Sequence, residues 1–447
     1  MLSLYSIAAW ALQPLVRRKL YRRAKSEPLY GAHIEERFGG YPQFDKPRAN
    51  RVSEHIHRPL IWIHAVSLGE TRAAAILLKE LRLAIPTMRL LLTNGTATGR
   101  EEGAKLLNNG DIQVWQPWDT RFATQAFFQR FQPSLGVLIE TEMWPHLIAS
   151  ANAAQVPVAL VNARMSEKSL QTSQRWYANR LASQAYRGLT AVYAQTSADA
   201  GRLTRLGAKV NGVLGNLKFD ITPNTAQVAA GNAFRLKHHK PIILFASSRE
   251  GEEAPFLAAL HALPKDQQNA AQWLIVPRHP QRFDEVASLI EAAGFGVSRR
   301  SHHPDFDTLS SNAASVQAEQ NTLWLGDSIG EMAFYYSLAS AALLGGSFAK
   351  LGGQNLIEAL ACGCPVVMGP HTFNFEEAAS LAAASGVAFK VNDLESAVQC
   401  GLHQGGFDRS RAADFVEAHQ GAAVQTAQAL DAILRLKDKQ TTSPTGH

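Results

Sequence analysis

The sequence predicts an α/β protein built from two parallel-sheet domains, and three observations predict it. At 447 residues the chain is longer than one ordinary hydrophobic core supports. Short apolar runs alternate with helical stretches through most of its length, which is the signature of βαβ units. The alternation breaks once, over residues 216–240, and then restarts. The expected domains are therefore 27–215 and 241–437, joined by a linker at 216–240. The second is expected to include a terminal helix, and a short segment (1–26) precedes the first.

Residues 1–16 are apolar but interrupted by Gln13 and Pro14, and six basic residues follow: Arg17, Arg18, Lys19, Arg22, Arg23 and Lys25. The apolar part is shorter than the roughly 20 residues a spanning helix needs. The charges follow it rather than precede it, so it does not read as a signal peptide. An apolar stretch with Trp10, then RRKLYRR, suits a helix lying in the headgroup region of an anionic leaflet. An ordinary helix packed on the body, with solvated charges, is the alternative.

Strands are expected at 60–64, 89–93, 112–115, 135–139, 156–161 and 191–194 in the first domain. In the second they are expected at 241–246, 273–276, 322–325, 341–344, 365–368 and 387–390. Helices lie between them, for example over 71–83 and 122–131. A last helical run covers 412–436, and the polar residues after it (438–447) read as a disordered tail.

Composition narrows the function classes. An apolar content of 46% and a charged content of 18% exclude global disorder. The net charge of +6 is matched by the six basic residues of segment 1–26, so a nucleic-acid partner is not expected. Cys362, Cys364 and Cys400 form neither a disulfide framework nor a zinc motif, and no metal is expected. No G-x-G-x-x-G follows a strand and no G-x-x-x-x-G-K-[ST] occurs, which disfavours dinucleotide and P-loop proteins.

The stretch 345–370, GGSFAKLGGQNLIEALACGCPVVMGP, reads as a glycine-bracketed loop followed by a short helix and a buried strand. Such a loop lets a ligand approach the backbone, and a helix N-terminus favours a phosphate. Glu358 lies one turn after Asn355, where a carboxylate can accept ribose hydroxyls. A glycine-tightened turn of any α/β protein is the plainer reading.

Four further constellations fall at strand ends. HAVSLGE (64–70) places Glu70 where α/β proteins keep their chemistry, as a general base, although Ser67-x-x-Glu70 also matches a capping box. ETEMWP (140–145) brings Glu140 and Glu142 beside an apolar anchor; the two share a proton, position a cation, or are unrelated solvated groups. Arg164, Lys218, Arg249 and Arg278 recur at βα junctions and point to an anionic ligand. GDSIGEM (326–332) repeats the S-x-G-E pattern, with Gly330 and Glu331 offering backbone N–H groups or, again, a capping box.

Taken together, HAVSLGE, ETEMWPHLI, NARMSEKS, GNLKFD, SSREGEE, VPRHPQRF, LGDSIGEM, GGSFAKLGGQNLIEA and GPHTFNF resemble the 3-deoxy-D-manno-octulosonic acid (Kdo) transferases of Gram-negative bacteria. The resemblance runs from about residue 30 to 425. It implies a GT-B fold, two Rossmann-like domains facing across a cleft, and transfer of Kdo from CMP-Kdo to the lipid A precursor in lipopolysaccharide synthesis. It implies work at the cytoplasmic side of the inner membrane, and no cofactor.

Residue by residue, the resemblance makes Glu70 the general base, with Glu140 and Lys218 supporting the transition state. Pro277, Arg278, Ile329, Gly330, Glu331, Gly353, Asn355, Leu356, Ile357 and Glu358 fall on the CMP-binding segments. Ser67, Gly69, Arg164, Ser248 and Arg249 are further candidate substrate contacts. One departure is Gln354, where the family often has His. A UDP-sugar enzyme of the same fold and a non-catalytic binding module are the rival expectations. The number of Kdo residues transferred stays open.

Overall fold

β1 (Leu60–His64) runs through the middle of the first of two seven-stranded parallel sheets. The computed structural model describes residues 2–44, 58–303, 321–403 and 408–442. The first sheet also holds β2 (Arg89–Asn94), β3 (Ile112–Trp115), β4 (Leu135–Ile139), β5 (Val158–Ala163), β6 (Ala191–Ala194) and β7 (Val210–Val213). Its order is β3-β2-β1-β4-β5-β6-β7, so the winding reverses between β1 and β4.

The second sheet holds β8 (Ile242–Ser248), β9 (Gln272–Pro277), β10 (Gly296–Arg299), β11 (Thr322–Leu325), β12 (Ala341–Leu344), β13 (Val366–Met368) and β14 (Ala388–Lys390). Its order is β10-β11-β9-β8-β12-β13-β14, with the reversal between β8 and β12. In open α/β sheets such reversal points open the crevice that receives ligands.

β4, β5 and β8 are buried along their whole length, as expected of strands covered by helices on both faces. In the first unit, Trp62 packs on Phe127 and Phe128 on one side of the sheet. The helix Leu68–Ala84 covers the other side through Leu77, Leu78 and Leu81. Two strands escape the sequence reading. β7 (VNGV) and β10 (GVSR) end their sheets; each pairs on one side only and contains a glycine, so neither needs a continuous apolar run.

The domain boundaries differ from expectation. The chain divides into residues 1–220 with 420–447, and residues 221–419. The stretch 216–240 is not a linker, because Thr225–Lys237 is a helix whose cap, Asn224, accepts from Ala226 N and Gln227 N at 3.1 Å each. It packs on the helix Met332–Leu338, where a Cβ on Gly231 would lie 2.6 Å from Phe334 O, so only glycine permits that approach. Its small residues, which read as a linker, are what let it pack.

The terminal helical run is likewise two helices in two units. Arg409–Glu417 stays with the second unit. Ala422–Thr442 begins after Gly421 (φ +104) and returns to the first, where Ala423, Ala427, Leu430 and Leu434 join the core of Leu77 and Leu81. That helix runs through Thr442, well into the segment read as a tail; residues 443–447 lie outside the described residues.

The N-terminal segment forms helices Leu2–Ala11 and Gln13–Arg23. They are fastened to the first unit by Tyr5, which donates to Asp119 Oδ2 (2.7 Å), and by Trp118 Nε1, which donates to Ala9 O (3.0 Å). Ala9 and Leu20 are buried, whereas Ile7, Trp10, Leu12 and Leu15 face outward, Trp10 with 70% of its surface exposed. No helix among the described residues is long and apolar enough to cross a membrane.

Candidate active site

In the first unit the acidic candidates converge on the β1/β4 reversal. Ser67 caps the helix that follows β1, with its Oγ accepting from Glu70 N at 3.3 Å. The Glu70 carboxylate folds back onto the same turn, where Val66 N donates to Oε2 (2.7 Å) and Ser67 Oγ donates to Oε1 (2.8 Å). The cap bond is therefore made, and the carboxylate reaches back to the amide of Val66, the residue before the cap. Burial nonetheless raises the carboxyl above its usual range, against those hydrogen bonds and with a further upward push from the charge of Glu140.

Glu140 follows β4 in the left-handed region (φ 63), a conformation that is uncommon without glycine. Its Oε1 lies 2.8 Å from Lys218 Nζ. Lys218 sits in the turn Leu217–Asp220, whose Leu217 N donates to Asn162 Oδ1 (3.0 Å). Asn162, near the end of β5, is also left-handed (φ 52). Two adjacent strands thus end in strained residues, one carrying the carboxylate and the other placing the lysine that pairs with it.

Glu142 accepts from Trp144 Nε1 at 2.6 Å. Burial, then the charges of Glu70 and Glu140, raise its carboxyl to about 7. Glu70, Glu140 and Glu142 therefore sense one another electrostatically, and Glu140 is also paired with Lys218. Arg164 follows β5, where its N donates to Glu140 O (3.4 Å). Gly69 lies exposed in the first turn of its helix; a Cβ there would meet only Ser67 Oγ, at 3.9 Å.

In the second unit the basic candidates gather at the ends of β8 and β9. His279 is held below its ordinary range, first by burial and then by the charges of Arg249, Arg278 and Arg282. Arg282 is neutralised by Glu253 (2.6 Å) and Glu285 (2.9 Å). Arg278 N donates to Ser248 O (3.0 Å), and Arg278 Nε donates to Gln354 Oε1 (3.2 Å). Ser248 is buried and its hydroxyl donates to Glu253 Oε1 (2.8 Å), an internal role. Pro277 is the buried last residue of β9.

The glycine-bracketed loop follows β12. A Cβ on Gly345 would sit 2.2 Å from Ser247 O, so glycine is required where this loop crosses the end of β8. Gly346, Gly352 and Gly353 have positive φ. Gly353 N and Gln354 N donate back to Gly346 O (2.8 Å) and Gly345 O (3.1 Å), closing the loop.

Asn355 caps the helix Leu356–Ala361 by accepting from Ile357 N (3.1 Å). The side chains of Leu356 and Ile357 are buried, so these two positions offer a ligand backbone only. Glu358 is half-buried and, with Arg278, acts electrostatically on the buried Tyr336.

After β11, Gly330 has φ +82 and Ile329 is 77% exposed. Glu331 is bound by Ser328 Oγ (2.5 Å) and Arg300 Nη2 (3.1 Å). Ser328 does not cap the following helix, whose N-cap is Glu331 itself. The two S-x-G-E motifs are therefore unlike: the first is a true cap, the second a side-chain pair.

Sequence reasoning missed Glu252 and the part played by Asn162. Glu252 is 1% exposed and accepts from the amides of Arg249, Gly346, Phe348 and Ala349. The signal available was an acid three residues after Arg249, indistinguishable in sequence from its neighbours Glu250 and Glu253.

A family model described as 3-deoxy-D-manno-octulosonic-acid transferase (kdotransferase) matches residues 32–221. The chain is 41% identical over 452 residues to the 3-deoxy-D-manno-octulosonic acid transferase of Bordetella pertussis, covering 96% of this chain and 98% of that one. It is 31% identical over 370 residues to the protein of the same name from Haemophilus influenzae, covering 82% and 81%. Among solved structures, Acinetobacter baumannii MurG aligns with a TM-score of 0.51 at 14% identity, over 85% of this chain and 99% of that one. A glycosyltransferase from Rickettsia africae gives 0.51 at 12% identity, over 85% and 99%. At such identities the structural likenesses speak for the fold alone, and with the two parallel sheets they give the GT-B class.

Proposed function

The chain belongs to the 3-deoxy-D-manno-octulosonic acid transferase family, and we propose that it moves Kdo from CMP-Kdo to a lipid A precursor with inversion at the anomeric carbon. The observation that carries the reading is the Glu70 carboxylate, oriented by Val66 and Ser67 at the β1/β4 reversal and made more basic by burial. In this reading Glu70 takes the proton of the acceptor hydroxyl. The hydroxyl oxygen bonds to the anomeric carbon of Kdo as the bond to the CMP phosphate oxygen breaks, and the electron pair leaves on that phosphate. A base tuned upward toward the working pH suits this proton transfer.

Glu140 and Lys218 support the transition state from the same edge of the sheet. Arg278 and Arg249, facing His279, meet the charge that develops on the phosphate. Backbone groups of Gly353–Ile357 and of Ile329–Glu331, with Pro277 and Glu358, line the nucleotide side; Ser67, Gly69 and Arg164 lie toward the acceptor. In this reading the base belongs to the first unit and the phosphate ligands belong to the second.

The N-terminal helices lie on the cytoplasmic leaflet of the inner membrane in this proposal, with Ile7, Trp10, Leu12 and Leu15 in the interface. The exposed Arg18, Lys19, Arg22, Arg23 and Lys25 are on anionic headgroups.

The test is product mass analysis of the purified protein with CMP-Kdo and tetraacylated lipid A precursor. One mass step per Kdo identifies donor and acceptor and counts the transfers. Inhibition by CMP and not by UDP is expected; the reverse would assign the chain to UDP-sugars instead.

A further inference from the structure

Glu252 follows β8 and reaches across to the loop after β12, the two strands between which the second sheet reverses. Its Oε2 accepts from Gly346 N (2.8 Å) and Arg249 N (2.9 Å). Its Oε1 accepts from Ala349 N (3.0 Å) and Phe348 N (3.1 Å). A turn with several N–H groups pointing inward is an anion-binding nest. Here the nest is already filled, by a side chain with 1% of its surface exposed. The amides of Gly346, Phe348 and Ala349 are therefore not the groups that receive a ligand's phosphate.

The hydrogen bonds continue outward from this point. Gly346 O accepts from Gly353 N (2.8 Å), Gly345 O accepts from Gln354 N (3.1 Å), and Gln354 Oε1 accepts from Arg278 Nε (3.2 Å). On the other side Glu252 N donates to Arg249 O (3.0 Å), closing a turn around Arg249. The Arg249 Cγ lies 3.7 Å from where a Cβ on Gly346 would be. One carboxylate thus fixes the backbone at Arg249 and, through the loop and Gln354, the direction of the Arg278 guanidinium.

We infer that Glu252 is a positioning residue for the donor: it stands in for an anion inside the glycine-bracketed loop and thereby sets Arg249 and Arg278 for the phosphate of a nucleoside monophosphate sugar. The inference rests on the donor reading above and deepens it. The loop acts as the support of the cationic pair, and binding of the leaving group depends on a buried charge that never touches it.

Glu252→Gln separates this role from a purely structural one. The amide nitrogen cannot accept, so two of the four N–H groups lose their partner while the volume of the side chain is kept. Glu252→Asp keeps the charge but shortens the reach, and serves if the glutamine variant does not fold. CMP is titrated calorimetrically into the full-length wild type and both variants, each first shown to be folded by its melting curve. In the Gln variant CMP is expected to bind about tenfold more weakly, with the donor KM rising more than kcat falls. Partial recovery is expected in the Asp variant.

A folded Gln variant that binds CMP within about twofold of wild type overturns the inference; so does an Asp variant of unchanged affinity if only that one folds. Absence of CMP binding by the wild type itself removes the donor reading, a result that involves no variant and is told apart on that ground.

Discussion

Lys218 Nζ lies 2.8 Å from Glu140 Oε1, in a group that also holds Glu70 and Glu142. The charge of Glu140 bears on both of the other carboxyls, and the ammonium is what balances it. Breaking a partly buried pair strands the remaining charge, a cost of several kcal/mol at most for groups this accessible. Lys218→Ala is therefore expected to raise the Glu70 carboxyl further, because the charge of Glu140, no longer balanced, bears on Glu70. The acid limb of the kcat/KM profile should move to higher pH in this variant. An unshifted limb would mean that Lys218 does not tune the base.

Glu142 gives a pH signature of its own. Its native carboxyl is raised to about 7, above the ordinary 4.5, so between those values the folded protein holds a proton that the unfolded chain has released. Stability must then fall as pH rises from about 4.5 to 7 and level off above. Glu142→Gln removes that slope. Melting curves of wild type and variant should agree most closely near pH 4.5, with the variant gaining up to about 3 kcal/mol relative to wild type at pH 8. Parallel curves across the range would contradict the raised carboxyl.

Asp220 secures the return of the chain to the first unit. Its Oδ1 accepts from Gly421 N (2.5 Å) and its Oδ2 from Ala423 N (2.6 Å), at the start of the helix Ala422–Thr442. Removing both acceptors frees two amides at a helix N-terminus. Asp220→Ala should lose about 1–2 kcal/mol by chemical denaturation, and Asp220→Asn less. Equal stability of all three would show that water replaces the cap without cost.

What the sequence reveals of a residue depends on whether that residue acts locally. Strand–helix alternation marked the strands buried on both faces, and the S-x-x-E spacing marked the cap at Ser67. β7 and β10 were hidden because edge strands carry little apolar signal. Asn162 and Glu252 were hidden because their partners, Leu217 and Gly346, lie far along the chain and become neighbours only in the folded sheet. The terminal helix was assigned to the wrong unit for the same reason: its apolar face announces a helix but not which core receives it.

The outward face of the N-terminal helices should behave as an interface. Trp10 and Leu15 are 70% and 61% exposed, and burying such side chains contributes about 1.5–3 kcal/mol each. Trp10→Ser with Leu15→Ser should weaken vesicle partitioning by at least about tenfold. Added salt should weaken wild-type binding to anionic vesicles and leave neutral ones little changed. Partitioning that ignores both the substitutions and the salt would leave these helices as packing elements only.

Glu70 is both a cap partner and the proposed base, and the two roles are separable because different atoms serve them. Ser67 Oγ accepts from Glu70 N, a bond that survives in Glu70→Gln and is lost in Ser67→Ala. Losing the cap costs about 1 kcal/mol of stability. Losing a positioned base costs about 10²–10⁴-fold in turnover. Glu70→Gln should thus melt near the wild type yet turn over slower by that factor, with CMP affinity unchanged. Ser67→Ala should melt lower while keeping far more activity, since Val66 N still holds Oε2 at 2.7 Å. If Glu70→Gln keeps near-normal turnover, the carboxylate is a cap and the base must be sought elsewhere, with Glu142 the next group to replace.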